Sequence, residues 1–179
     1  MFIDAATRRS LELTRTATNE RTSSLLWTID QTVTAAGARL LAAQLTAPLL
    51  SVEAINSRLD AVEFFVHRSD LTDQLRVLLA RCHDIERCLQ RVALGRCGPR
   101  DLSAIGATLS LAPEIAALMG DRRQSIAASI NERLMELDDH SEIVQLLDAA
   151  LLDDPPINTI DGGFIAGGSV LIDSIDQEK

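Results

Sequence analysis

A helical pattern of apolar positions returns along almost the whole chain. After Ser51, apolar residues recur at spacings of three and four through Val52, Ile55, Leu59 and Val62, which is the period of an amphipathic α-helix. Stripes with the same spacing begin at Leu71, Ile85, Leu102, Ile115, Ile126 and Ile143. No segment alternates with period two for long. The pattern therefore predicts an all-α fold of about eight or nine helices.

Capping and turn residues predict where several helices begin and end. Ser51 is a suitable N-cap for the helix that follows it, and the Gly98-Pro99 pair should begin another helix, since proline is favoured in the first turn. Upstream, we predict a short helix over 5–16 and two helical pieces over 24–47. Thr34 should cap the second piece. Its inward positions are either Ala38, Leu41 and Leu45 or the pair Leu40 and Leu41.

The end of the chain has a different character. Asp154-Pro155-Pro156 must interrupt the last long helix, because a proline disfavours helical geometry in the residue before it. Two glycine pairs then lie within 157–169, where no helical period exists. We expect a short extended, hairpin-like segment near 157–168 and a helix from about Leu171. The chain thus divides into a helical domain over 1–156 and a Gly-rich segment with the start of a helix over 157–179.

The stripes also predict which side chains form the core. The expected core residues are Leu59, Val62, Leu78, Leu89, Val92 and Leu102. If Leu89 is buried, its truncation to alanine should cost about 2–5 kcal/mol of stability.

Composition narrows the class of protein. The 179 residues are 46% hydrophobic and 24% charged, as in a folded globular domain. Aromatic residues make up only 3%, which argues against an aromatic cage or a base-stacking surface. The formal net charge of −9 opposes nonspecific DNA binding by this chain alone.

The sequence favours a cytoplasmic protein. No uninterrupted apolar stretch reaches the length of a membrane span, and residues 1–10 lack the apolar region of a signal peptide. The three cysteines form no CxxC pair, as expected of free thiols in a reducing compartment. We therefore expect no membrane partner.

One segment resembles a phosphate-binding loop and lacks its cation. Residues 162–169 read Gly-Gly-Phe-Ile-Ala-Gly-Gly-Ser, so Gly168 stands where such a loop has its lysine. Without that ammonium group, backbone N–H groups alone would have to hold a triphosphate. A turn or hinge is the favoured interpretation.

The residues with soft-ligand chemistry do not predict a metal site. Cys82, His83, Cys88 and Cys97 are the only such cluster. Six residues on a helix turn the chain by about 600°, so Cys82 and Cys88 point in different directions. Buried structural thiols are favoured over ligands. An enzyme that uses Cys88 or Cys97 as a nucleophile is the least favoured hypothesis that we keep.

The acidic residues and histidines also do not form a pattern that predicts a catalytic or metal-binding site. The pairs Asp138-Asp139 and Asp153-Asp154 lie near helix ends, where neighbouring carboxylates are usually solvated. His67, His83 and His140 are each isolated on a different predicted helical surface. The sequence therefore predicts no catalytic, cofactor-binding or metal-binding residue.

Basic residues are locally concentrated in two places, the Arg8-Arg9 pair and the group Arg87, Arg91, Arg96 and Arg100. Arg87 and Arg91 are four apart on one helix face, so they could meet phosphate or an acidic partner domain. Pairing within the chain to Asp84, Glu86 or Asp101 is the favoured use.

Several short segments together resemble the core, or lever, domain of MutS-type DNA mismatch-repair proteins. They are the segments 3–9 (Ile-Asp-Ala-Ala-Thr-Arg-Arg), 11–13 (Leu-Glu-Leu), 37–41 (Gly-Ala-Arg-Leu-Leu), 58–63 (Arg-Leu-Asp-Ala-Val-Glu), 84–87 (Asp-Ile-Glu-Arg), 91–96 (Arg-Val-Ala-Leu-Gly-Arg), 99–102 (Pro-Arg-Asp-Leu), 154–156 (Asp-Pro-Pro) and 161–165 (Asp-Gly-Gly-Phe-Ile). They occur in the family's order and approximate spacing. After Gly167 the chain departs from the family, which usually continues with Gly-Tyr where Gly168-Ser169 stands here.

The resemblance implies a part without catalysis. In this family a separate N-terminal domain recognises mismatches, a clamp grips DNA, and a C-terminal domain binds ATP and Mg. The chain would then be a fragment of the lever that precedes the clamp and transmits nucleotide state to DNA engagement. Its implied partners are the clamp, connector and ATPase domains, with DNA reached only through absent domains. It would bind no cofactor itself, and its uncovered surface would favour self-association. The alternative is a free-standing helical interaction module derived from that lever.

Overall fold

The described part of the chain is built from α-helices. This computed structural model describes residues 3–120, 127–137, 140–157 and 162–165. Its helices are α1 (Ala5–Ser10), α2 (Leu25–Ile29), α3 (Ala35–Thr46), α4 (Val52–Val66), α5 (Ser69–Ala80), α6 (Ile85–Ala93), α7 (Pro99–Leu109), α8 (Ala112–Gly120), α9 (Ala128–Met135) and α10 (Ser141–Ala150). Eight of these are eight residues or longer. The predicted all-α class is confirmed.

The helices fall into two compact units. The first unit holds residues 3–80 and 127–133 of the described chain, and the second holds 81–120, 134–137 and the described residues beyond 140. Helices α1 to α5 therefore belong to the first unit, and α6, α7, α8 and α10 belong to the second.

Side-chain caps begin the helices of the first unit where the sequence predicts them. The Thr34 hydroxyl accepts a hydrogen bond from the Gly37 amide at 2.9 Å, and the Ser51 hydroxyl accepts one from the Ala54 amide at 3.3 Å. On α3, Ala38, Leu41 and Leu45 are half-buried, whereas Leu40 is 59% exposed. The first of the two predicted faces of α3 therefore points inward.

The first helix is shorter than predicted. Helix α1 ends at Ser10 rather than near residue 16, because the backbone of Glu12 has a φ of 49° and no α-helix passes through that conformation. The chain turns there, and the Leu25 and Leu26 amides donate to the carbonyls of Glu12 and Leu13 at 3.0 and 2.8 Å. Leu13, which follows the turn, is buried.

Aromatic packing marks the junction of α4 and α5 in the first unit. Phe64 on α4 and Leu71 on α5 are buried. The Phe64 and Phe65 rings meet edge to face at 5.2 Å, and the Arg68 guanidinium lies 4.2 Å from the centre of the Phe64 ring. These contacts fix the turn between the two helices.

Helix α7 is central to the second unit, where it packs against both α6 and α10. The buried cluster there comprises Cys88, Ile105, Leu147 and Leu151, with Leu102, Ala104, Leu109 and Phe164 packed against it. Gly106 lets α10 approach closely, since a Cβ at that position would lie 3.3 Å from Leu147 Cδ1.

The Gly-rich segment pairs with the end of α10. The Leu152 amide donates to the Gly163 carbonyl at 3.0 Å, and the Ile165 amide donates to the Ala150 carbonyl at 2.9 Å. Leu151 and Phe164 form a single antiparallel bridge. An extended, hairpin-like pairing is therefore present, although one of its arms lies at 150–152, before the predicted range. The helix predicted from Leu171 lies outside the described residues.

The predicted core is wrong at four of its six positions. Leu59, Val62, Leu89 and Val92 are 57%, 53%, 52% and 43% exposed, whereas Leu78 and Leu102 are half-buried. Helix α4 instead packs through its opposite face, which carries Phe64 and the half-buried Ala54 and Ala61. Helix α6 likewise buries Cys88. The apolar period shows that a helix has an apolar face and does not show what covers that face.

The α7–α8 segment has an unusually apolar composition. Over Pro99–Gly120 it reaches a mean hydropathy of 1.5, so by length and composition alone it could cross a membrane. Ile105, Leu111 and Met119 in this segment are buried. In total, 28% of the most apolar window is buried inside the protein.

The exposure of Leu89 changes the expected effect of its truncation. Leu89→Ala should now cost less than about 1 kcal/mol, because half of the side chain is already in water. Leu147→Ala is the matched control and should cost about 2–5 kcal/mol, since Leu147 is buried in the α7–α10 cluster. Urea unfolding of both variants checks this. Equal losses of stability would contradict the packing of α6 described above.

Candidate functional site

An ion pair with two hydrogen bonds joins α6 to α7. The Arg91 guanidinium donates from Nε to Asp101 Oδ2 at 2.8 Å and from Nη2 to Asp101 Oδ1. The Gly98 amide also donates to Asp101 Oδ2, at 3.2 Å. The hydrogen bonds from Arg91 hold the pKa of the Asp101 carboxyl below its usual range and raise the pKa of Arg91. The two groups therefore remain charged and fix one helix against the other.

The cysteines near this ion pair are not activated. Arg91 Nη2 also donates to Cys88 Sγ at 3.3 Å, yet burial is the stronger influence and raises the pKa of the Cys88 thiol. Burial likewise raises the pKa of Cys82 and Cys97. A nucleophilic cysteine needs a lowered pKa, so these environments argue against the hypothesis of a thiol enzyme.

The other arginines of the second unit are largely used inside the chain. Arg87 lies 3.5 Å from Asp84, and Arg100 lies 3.6 Å from Asp154. Together with Arg91 and Asp101, these pairs agree with the predicted use of the basic group in intramolecular pairs. Arg96 is exposed.

The histidines do not converge. His67, in the first unit, lies 3.6 Å from Glu63 on the same helix. In the second unit, the His83 amide donates to the Thr108 hydroxyl at 2.9 Å, and His140 occupies the N-cap position of α10. Among the described residues, no group of three or more His, Cys, Asp or Glu side chains could hold a metal ion. Asp138 and Asp139 lie outside those residues.

The glycines that resemble a phosphate loop serve packing where the structure describes them. Gly163 has a φ of 107°, and a Cβ there would lie 2.8 Å from both Pro156 Cδ and Pro99 Cβ. A Cβ on Gly98 would lie 2.0 Å from the Ile157 carbonyl oxygen. Pro156, Ile157 and Gly163 therefore lie close to the beginning of α7. Gly167, Gly168 and Ser169 are outside the described residues.

A cleft of about 270 Å³ lies between α7 and α10. It is lined by Ser103, Gly106, Ala107, Ser110, Val144, Leu147, Asp148, Leu151, Leu152 and Asp153. Its two charged groups, Asp148 and Asp153, are both carboxylates, so the cleft does not suit an anionic nucleotide.

Helix α4 of the first unit has an exposed apolar face, here named the α4 stripe. It consists of Val52, Ile55, Leu59, Val62 and Val66, whose exposed fractions are 70%, 37%, 57%, 53% and 70%. A contiguous apolar face in water marks an interaction surface or an aggregation liability. The sequence pattern contains all five residues, and the prediction that Leu59 and Val62 are core is wrong because period alone does not distinguish a core from an interface.

The described residues thus form a helical domain whose helices are joined by ion pairs and which has an exposed apolar face on α4. The family model for MutS domain III matches residues 6–178. The chain is 45% identical over 168 residues to the DNA mismatch repair protein MutS of Paracoccus denitrificans and 46% identical over 168 residues to that of Ruegeria pomeroyi, covering 94% of this chain in each case. It is 44% identical over 167 residues to the MutS protein of Rhodopirellula baltica. The chain belongs to the MutS domain III family.

The match is to one part of these proteins. The chain spans 19% of the Paracoccus and Ruegeria proteins and 18% of the Rhodopirellula protein. It therefore corresponds to about a fifth of a MutS-type protein and to the domain that the sequence resemblance indicated.

The Arg91–Asp101 ion pair should contribute stability with a defined pH dependence. Asp101→Asn should cost about 1–2 kcal/mol at neutral pH, because it removes a charge-assisted acceptor from a partly exposed pair. The folded protein lowers the pKa of Asp101, so this contribution is present above the ordinary aspartate pKa. It is lost as the pH falls through the lower, folded value.

The measurement is urea unfolding of wild type and Asp101→Asn from neutral pH down to the acid range. The two free energies of unfolding should converge at the acid end. Asp154→Asn is the control and should have almost no effect, since Asp154 is 94% exposed in its pair with Arg100. A constant difference at all pH values would contradict the role of the Asp101 charge.

Proposed function

We propose that this chain is a non-catalytic structural and transmission element of a MutS-type DNA mismatch-repair protein. It would act as part of a lever that couples ATPase state to DNA clamping and mismatch binding. The proposal rests on two features of a chain of the MutS domain III family. Its helices are held together by ion pairs and close contacts, and the α4 stripe is exposed.

The contacts between helices of the second unit supply the stiffness that a lever needs. Arg91 and Asp101 lock α6 to α7, and Gly98 and Gly163 let the hairpin close over the first turn of α7. Packed helices of this kind move as bodies between discrete arrangements rather than deforming continuously. A displacement at one end of the unit would therefore be passed to the other end.

In this proposal, the α4 stripe is the surface that contacts other domains of the MutS-type protein. Because the chain spans only about a fifth of its relatives, we infer that the stripe packs against another part of the longer protein, among its clamp, connector and ATPase domains. In the isolated chain the same face has no partner, and a second copy would cover it.

Nucleotide and DNA chemistry would lie in other domains. In this proposal ATP and Mg are bound by the ATPase domain, and DNA is gripped and inspected by the clamp and the N-terminal domain. The protein would act in the cytoplasm, where bacterial DNA is repaired. A free-standing interaction module would also display the α4 stripe, and the length of the native open reading frame distinguishes the two.

We expect the isolated chain neither to hydrolyse ATP nor to distinguish a mismatched duplex from a matched one. Asp148 and Asp153 line the α7–α10 cleft, the net charge is −9, and three arginines of the second unit are paired within it. Phosphate release should equal that of buffer, and titrations of fluorescent homoduplex and heteroduplex should overlay. A reproducible preference for the heteroduplex would overturn the assignment of recognition to other domains.

We also expect the isolated chain to self-associate through the α4 stripe. Leu59→Glu should weaken association by about tenfold or more, since burial of one such side chain contributes about 1.5–3 kcal/mol. Leu40→Glu on α3 is the matched control, because Leu40 is exposed to a similar extent, 59%, and lies outside the stripe. Sedimentation velocity over a concentration series measures both. A wild-type chain that stays monomeric at high concentration would contradict this prediction.

A further inference from the structure

We propose that a pocket in the first unit, formed by α1 and the turn that follows it, binds a phosphate group. The pocket has a volume of about 180 Å³. Its lining residues, here named the arginine pocket, are Ala5, Arg8, Arg9, Thr14, Arg15 and Asn19. Three of its six lining residues are thus arginines, in a chain whose net charge is −9.

The cations of the arginine pocket are not neutralised from within. In the part of the chain that the structure describes, no carboxylate lies within ion-pair distance of Arg8, Arg9 or Arg15. The two nearest carboxylates in sequence are used elsewhere. Asp4 accepts from the Thr7 amide and hydroxyl at 2.9 and 2.8 Å, and Glu12 accepts from the Ala17 amide at 2.7 Å.

In the second unit, by comparison, arginines form ion pairs with aspartates of the same chain. There Arg87, Arg91 and Arg100 each have an aspartate partner at 3.6 Å or less. The arginine pocket differs because, among the described residues, none of its three arginines has a carboxylate within ion-pair distance. An arrangement of that kind leaves charge to be balanced by an external anion.

The backbone holds the pocket in shape before any ligand arrives. The Leu13 amide donates to the Arg8 carbonyl and the Glu12 amide to the Arg9 carbonyl, both at 3.1 Å. Arg15 Nη1 donates to the Asn19 carbonyl at 2.9 Å, which ties the far wall together. Buried Leu13 anchors the turn. Binding would therefore require little ordering of the backbone.

The lining chemistry fits a phosphate better than a single carboxylate. Guanidinium forks match the several acceptor oxygens of a phosphate group, and Thr14 and Asn19 add neutral donors without adding negative charge. Three cations suit a dianion. The phosphate could be carried by a small molecule such as a nucleotide or by the backbone of a nucleic acid, since both present the same group.

The test is an NMR titration of the full chain at low ionic strength with inorganic pyrophosphate. We expect the Thr14 and Asn19 amide signals to shift. Arg9→Gln/Arg15→Gln should weaken binding by about tenfold or more, because it removes two charged donors. Arg87→Gln/Arg100→Gln makes the same change in net charge outside the pocket and should leave the affinity unchanged. Arg9→Lys/Arg15→Lys keeps the charge and the fold, and should weaken binding less than the glutamine pair.

A short DNA duplex, used as a further ligand, identifies the source of the phosphate. A short DNA duplex that shifts the same signals and loses this effect in Arg9→Gln/Arg15→Gln indicates a nucleic-acid backbone. Pyrophosphate binding without duplex binding indicates a small phosphate compound. The proposal is overturned if pyrophosphate leaves the Thr14 and Asn19 signals in place, if the glutamine pair binds as the wild type does, or if an oligoglutamate peptide binds more tightly than pyrophosphate. None of these outcomes depends on the lever role.

Discussion

The Asp101 carboxylate joins two helices of the second unit. It receives Arg91 from α6 and the Gly98 amide from its own helix start, so the ion pair fixes both the rotation of α6 and the first turn of α7. Cys88 is one helical turn from Arg91 and is therefore buried on the same side. Leu89, about 100° further around the helix, is half exposed to water. Ile105 then continues the α7 face into the cluster with Leu147 and Leu151.

Local signals in the sequence predicted the helix boundaries well. Thr34, Ser51 and Pro99 act through atoms within a few residues of themselves, so their effect could be deduced without knowledge of the fold. The end of α1 was missed because it depends on Glu12 adopting a left-handed conformation, which is uncommon for glutamate. That turn is held by Leu25 and Leu26, residues more than ten positions away.

In the candidate sites, too, contacts between residues close in sequence could be predicted, whereas contacts between distant residues could not. Arg87 pairs with Asp84 three residues before it, and spacing alone could predict such a pair. The partner of Arg100 is Asp154, which only the fold brings near. The arginine pocket shows the same limit: Arg8 and Arg9 are visible as a pair in the sequence, whereas Arg15 joins them only because the chain reverses at Glu12.

The first unit has two surfaces that remain exposed, whereas three arginines of the second unit are paired with aspartates. In the second unit the charges are closed on one another through Arg87, Arg91 and Arg100, whereas in the first unit the α4 stripe and the arginine pocket stay open. An independent domain would gain by covering the stripe, since each exposed apolar side chain forgoes the free energy of burial. In the proposed function, another part of a longer chain covers α4 and supplies that gain. The open stripe therefore supports the proposed role of this chain as one part of a larger MutS-type protein.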